Sequence, residues 1–230
     1  MKRLGLVGGI GPESTIAYYR AIMAAGRATA LASQPPVLIN SIDVHRVLRL
    51  IGAVQLTELT DYLVEEVERL AKAKADLVLI AANTPHLVFD EVRARSSVAM
   101  VSIVEATRDA VRAMGLHRVS LFGTRFTMQA RFYPDVFSTV GITVVPPRDD
   151  EQAYIHDKYV NELLNGRFLG STREGLLRLV DAQRARDGID AVILAGTELP
   201  LVLTDLAEAS VPLLDTTDIH VKAAVTLAWP

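Results

Sequence analysis

The run Asp76-Leu-Val-Leu-Ile-Ala81 reappears 114 residues later as Asp190-Ala-Val-Ile-Leu-Ala195. Leu87-Val88 falls on Leu201-Val202 at the same offset, and Ser97-Val98 falls on Ser210-Val211 at 113. Leu4-Gly5-Leu6-Val7-Gly8 falls on Val119-Ser120-Leu121-Phe122-Gly123 at 115. Matched apolar runs in one order, at nearly constant spacing, imply two similar halves. Short runs of this kind, continuous in apolar character, are what strands covered on both faces require.

Longer amphipathic stretches separate the runs. Leu59, Leu63, Val67 and Leu70 recur at helical spacing within Leu56–Ala73. The reading places strands at Arg3–Val7, Val37–Ile42, Asp76–Ala81, Val98–Ile103, Val119–Phe122, Ile142–Val145, Asp190–Ala195 and Val211–Leu214. Helices are expected at Glu13–Ala28, Leu56–Ala73, His86–Arg95, Glu105–Met114, Thr127–Thr139, Asp150–Leu164, Thr172–Arg186 and Ile219–Leu227. Alternation of this kind predicts α/β architecture: two pseudo-symmetric three-layer α/β domains with mostly parallel sheets and a ligand cleft between them. The first domain is expected to span residues 1–102 plus about 210–230, and the second 103–209. Ligands of such sheets bind beyond the carboxyl ends of the strands. That puts Ala82-Asn83-Thr84, Gly196-Thr197-Glu198, Gly8-Gly9 and Gly123-Thr124 at the expected site, with a preference for small anions.

Composition narrows the chemistry. The 230 residues include no cysteine, so disulfides, thiolate metal sites and thiol catalysis are excluded. A formal charge of −3 argues against a nucleic-acid surface. No apolar stretch approaches the ~20 residues of a membrane span, and Leu4–Val7 is too short for a signal-peptide core, so a cytoplasmic location is expected. The glycines Gly8, Gly9 and Gly11 do not follow the G-x-G-x-x-G spacing of a dinucleotide loop, and read instead as a tight strand-to-helix turn.

Five motifs in order carry a resemblance: Gly5-Leu-Val-Gly-Gly-Ile-Gly-Pro-Glu-Ser-Thr15, Ala82-Asn-Thr-Pro-His86, Gly123-Thr-Arg-Phe-Thr127, Gly196-Thr-Glu198 and Asp215-Thr-Thr-Asp-Ile-His220. With these the chain resembles the aspartate/glutamate racemase superfamily over essentially its whole length. The resemblance implies an interdomain active site, no metal, no pyridoxal phosphate or other cofactor, and a homodimer. It also implies two proton-transferring cysteines, one preceding Asn-Thr and one preceding Thr-Glu. Those positions are Ala82 and Gly196 here, and neither side chain can move a proton. The lysine that some relatives carry near Asn165 is absent as well.

The resemblance implies that the carboxylate-binding part is retained. The resemblance implies substrate contacts at Gly9, Ser14, Asn83, Thr84, Thr124, Gly196 and Thr197, with Arg46 meeting a distal acid group. Glu198, His86 and His220 are the candidate acid/base residues in place of the thiols. Each has a structural alternative: Asn83, Thr84 and Glu198 as helix caps, His86 as a hydrogen-bonded core histidine, Arg46 as a solvated loop residue. The expected function is a cofactor-independent enzyme acting on a small carboxylate or amino acid, a racemase-like isomerase or a lyase, by a non-thiol mechanism. The alternative is a catalytically inactive carboxylate-binding protein.

Overall fold

In the first half of the chain the apolar runs become β1 (Leu4–Gly8), β2 (Val37–Ser41), β3 (Leu77–Ile80) and β4 (Ala99–Val101). All pair in parallel, in the order β2-β1-β3-β4, with Gly8 opposite Ser41 and Val7 opposite Ile80. The second sheet repeats this plan with β5 (Arg118–Gly123), β6 (Thr143–Val145), β7 (Ala191–Ala195) and β8 (Leu213–Asp215), ordered β6-β5-β7-β8 and again parallel. The matched runs of the sequence are thus the matched strands β1/β5, β3/β7 and β4/β8. The computed structural model describes residues 1–28, 34–203 and 209–229. The chain divides into one unit of Met1–Ala106 with Thr217–Pro230 and another of Thr107–Thr216.

Helices cover the sheets because their apolar stripes have nowhere else to go. In the first unit, α1 (Pro12–Ala28) contributes Tyr18 and Ile22 to a core with Leu4, Leu6, Leu77 and Leu79. The last helix of the chain adds Val221, Ala224, Val225 and Trp229 from its apolar face and the residue after it to the same core. Between β2 and β3 lie α2 (Val44–Gly52) and α3 (Leu56–Lys72); α3 buries Leu59, Leu63, Val67 and Leu70 at the spacing anticipated from sequence. A 3-10 turn (Thr84–Val88) and α4 (Phe89–Arg95) follow β3, and α5 (Ile103–Ala113) follows β4.

In the second unit, α6 (Arg125–Gln129) and α7 (Phe132–Ser138) connect β5 to β6. Next come α8 (Asp149–Asn161), α9 (Gly170–Asp187), α10 (Leu199–Val202) and α11 (Thr216–Ala228), the last returning to the first unit. Ile155 and Tyr159 of α8 pack with Leu176 and Val180 of α9 on Phe122, Val192 and Leu194.

The duplication extends to polar contacts. Asp76 and Asp190, which open the repeated run, both accept the backbone N–H at the start of the neighbouring strand: Arg3 N to Asp76 at 2.7 Å, Arg118 N to Asp190 at 2.9 Å.

Some elements differ from the sequence reading, each for a local reason. The single helix expected over Thr127–Thr139 is two, with Ala130 extended between them. Pro134 has no N–H to give Ala130 and its ring crowds that carbonyl, so a helix cannot run through. The segment before Leu56 is helical: Asp43 caps α2 by accepting His45 N–H at 2.8 Å, and Val47 and Ile51 are buried one turn apart. β4 stops at Val101 because Ser102 already caps α5, its Oγ accepting Glu105 N–H. The helix anticipated from His86 begins as the 3-10 turn at Thr84. Among the described residues no helix is long and apolar enough to cross a membrane.

Candidate functional site

In each sheet the chain leaves the central strand pair in opposite directions, β1 toward β2 and β3 toward β4, β5 toward β6 and β7 toward β8. Diverging connections open a crevice at the carboxyl ends of that pair, where parallel sheets bind ligands. The candidate residues lie there: Gly9 after β1 and Ala82–Thr84 after β3 in one unit, Thr124 after β5 and Gly196–Glu198 after β7 in the other.

In the first unit, Gly9 has φ +82°, and a Cβ there would lie 2.6 Å from Ile42 O. Only glycine fits this turn. Its N–H is already taken by Thr15 Oγ1 at 2.8 Å, so Gly9 shapes the turn and its N–H is committed within it. Ser14 is buried, and its hydroxyl donates to Ala81 O at 2.7 Å, tying α1 to the end of β3. Ala82 and Asn83 are buried, and Thr84 is half-buried. The Asn83 side chain makes no capping bond to the 3-10 turn that follows it. Arg46 is exposed on α2 rather than in a loop, with its guanidinium 4.0 Å above the Tyr62 ring. That stacking orients a cation beyond the end of β2.

His86 and His220 form a buried pair in the first unit, with ring centroids 6.0 Å apart. His86 Nδ1–H donates to Ala82 O at 2.9 Å, and its Nε2 accepts Ile103 N–H at 3.1 Å. Its ring stacks on Phe89. His220 Nε2–H donates to Val101 O at 2.9 Å, and its Nδ1 accepts the Tyr18 hydroxyl at 2.8 Å. These partners fix both tautomers. Burial pushes His86 down to about 3, with His220 adding to the shift, and burial pushes His220 down to about 4. Both rings are neutral at pH 7, and both nitrogens of each are engaged within the unit.

In the second unit Thr124 caps α6, its Oγ1 accepting Thr127 N–H at 3.2 Å. Glu198 is 3% exposed and does not cap α10. Its Oε2 instead accepts the Thr197 hydroxyl at 2.9 Å and the Tyr159 hydroxyl. Tyr159 comes from α8 and is itself buried. Burial first, then the Glu198 carboxylate, holds its phenol well above the usual tyrosine range, so it stays protonated. Gly196 lies beneath this ring: a Cβ on it would sit 2.5 Å from Tyr159 Cε2. The sequence reading does not include Tyr159. Among the described residues no group of His, Asp and Glu is gathered that could hold a metal ion.

Comparison with known proteins agrees with this architecture. The family model for Asp/Glu/Hydantoin racemase matches residues 7–224. An aspartate racemase homologue from Pyrococcus horikoshii OT3 is 34% identical, with TM-score 0.88 and 100% of both chains covered. A Yersinia pestis protein solved as a candidate Asp/Glu racemase is 30% identical, with TM-score 0.92 and 100% of both chains covered. A glutamate racemase from Parafrankia sp. is 31% identical over 158 residues, 66% of this chain and 53% of that protein. A match across nearly the whole sequence, together with two parallel sheets of one order, places this chain in the Asp/Glu/hydantoin racemase family.

Proposed function

We propose that this protein is a cofactor-independent enzyme that works next to the carboxyl group of a small carboxylate or amino acid, as a racemase-like isomerase or a lyase, without a thiol. The observation that carries this reading is the Glu198 carboxylate: buried at the end of β7, it is held by two hydroxyls instead of capping its own helix. A carboxylate so placed is a candidate proton acceptor. Thr124 and Thr197 supply hydroxyls beside Glu198 at the ends of β5 and β7 for the substrate carboxylate. Donors aimed at a carboxylate also stabilise the enediolate formed when charge moves onto it. Glu198 is preferred to His86 and His220 because both nitrogens of each imidazole are already engaged. A homodimer in the cytoplasm is part of the same reading, and sedimentation velocity checks the oligomeric half of it.

A second reading, a carboxylate-binding protein without catalysis, is favoured by Ala82 and Gly196, which leave no thiol at either family position. Proton NMR in deuterated water separates the two, using L- and D-aspartate, L- and D-glutamate and 2-methylmalonate. Loss of the Cα proton signal or release of CO2 supports the enzyme. Thermal stabilisation by panel members that all remain unchanged supports the binding protein.

A further inference from the structure

Tyr159, Gly196 and Glu198 form one assembly that the sequence does not announce. The Tyr159 ring lies over Gly196 so closely that any side chain on residue 196 would enter it, the nearest ring atoms being 2.5 and 2.9 Å from a Cβ. Its hydroxyl reaches the Glu198 carboxylate, which also takes the Thr197 hydroxyl. Gly196 follows β7 at the carboxyl end of the β5/β7 pair. Thus a phenol and a carboxylate are brought into direct contact at this strand end. A phenol both donates and accepts, so it can pass a proton between a carboxylate and a third atom.

We propose that Tyr159 is a proton relay between Glu198 and the Cα of the bound substrate, occupying the space that a side chain on residue 196 would otherwise fill. The proposal rests on the reading of the protein as a non-thiol enzyme acting beside a carboxyl group. In the forward step the Cα–H bond breaks and its electron pair stays on the substrate as the enediolate. The proton goes to the Tyr159 oxygen while the Tyr159 proton moves to Glu198, which becomes a neutral carboxylic acid. The phenol is regenerated in the same step, so no phenolate forms beside the carboxylate. The reverse step returns a proton from Glu198 through Tyr159. In a lyase the electron pair comes from the C–CO2 bond, and an initially protonated Glu198 supplies the proton. A single relay addresses a single face of Cα, so it narrows the proposed function to the lyase: a decarboxylated product carries its new hydrogen on one face, and an amino acid exchanges its Cα proton with retention of configuration.

The test uses the full chain and its Tyr159→Phe and Glu198→Gln variants, incubated with L- and D-aspartate, L- and D-glutamate and 2-methylmalonate in deuterated water. Deuterium is read by NMR and configuration by chiral chromatography. Phenylalanine keeps the ring over Gly196 and removes only the oxygen, so its affinity for malonate by calorimetry is expected to stay at the wild-type value, while its thermal midpoint falls because the buried Glu198 carboxylate loses one of its hydroxyl partners. Its rate of Cα deuteration or CO2 release is expected to fall by about 10²-fold or more, the scale of a lost general acid/base. Glu198→Gln is expected to lose a comparable factor, and wild-type exchange is expected to keep the starting configuration. If Tyr159→Phe turns over within about twofold of wild type, the relay is overturned and the enzyme reading stands. Appearance of the opposite enantiomer as fast as deuterium enters also overturns the one-sided relay. If wild type binds malonate and leaves every panel member unchanged, the enzyme reading and the relay fall together.

Discussion

Gly196 and Tyr159 are a fitted pair, and neither is interpretable alone. Gly196→Ala places a methyl group inside contact distance of the phenol ring, so the ring must shift or the loop after β7 must move. Overpacking of this kind costs about 1–3 kcal/mol. The cost should fall to near zero in the Tyr159→Ala background, where the ring is gone. A thermodynamic cycle by chemical denaturation, followed by a probe in the second unit, measures that coupling. Additive effects would show that the ring and residue 196 do not compete for space. Glu198 was legible in the sequence because it sits two residues after Gly196 in a recognisable motif. Tyr159 was not, because it stands 39 residues before Glu198 on a different helix. A lone aromatic at helical spacing reads as core, and only the fold shows the glycine beneath it.

At the scale of elements, the repeated strands were readable because a buried parallel strand tolerates little except apolar residues. The connections were less so. The turn at Ala130 needed the clash between Pro134 and the carbonyl four residues earlier to be weighed against an otherwise helical pattern. The α2 helix carried its own signals, Asp43 as a cap and Val47 and Ile51 one turn apart, but lies in a short interval between stronger elements. Ser14 shows what such joints contribute. Its hydroxyl is buried and satisfies Ala81 O, so Ser14→Ala leaves a buried carbonyl short of a partner at the end of β3. We expect a loss of about 1–3 kcal/mol in the stability of the first unit, measured by urea unfolding. A loss near zero would mean the end of β3 is held without this bond.

For the molecule as a whole, the first unit can be followed by itself because the chain's one tryptophan lies in its core. Trp229 packs in the core of the first unit, and its Nε1–H donates to Lys2 O at 2.9 Å. That unit also buries His86 and His220 as neutral rings, with folded values near 3 and 4 against 6.5 for an ordinary histidine. The sign follows directly. Above pH 6.5 both rings are neutral folded and unfolded, so they contribute no pH dependence. As pH falls below 6.5 the unfolded chain takes up protons that the folded unit refuses, and stability drops until the folded values are reached. At pH 5 the loss is on the order of 2 kcal/mol per ring. Urea unfolding followed by Trp229 fluorescence at pH 7 and pH 5 should show it, and His220→Gln should flatten the slope between them. An unchanged midpoint would mean that the rings are protonated in the folded unit.

The histidines illustrate how far residue type alone can carry a functional argument. Both stand in motifs of the family and both can exchange protons in principle, yet each is locked by two partners within its unit. The proposed anion-binding loops have a different support, because the strand order whose diverging connections favour ligands at the strand ends is present twice. The most direct test of the central claim is the position of a bound carboxylate in a crystal of the full chain grown with malonate or aspartate. The prediction is a carboxylate within hydrogen-bonding distance of Thr84 or Thr197, beside Ala82 or Gly196. A well-ordered carboxylate bound elsewhere, with both strand-end loops empty, would contradict it.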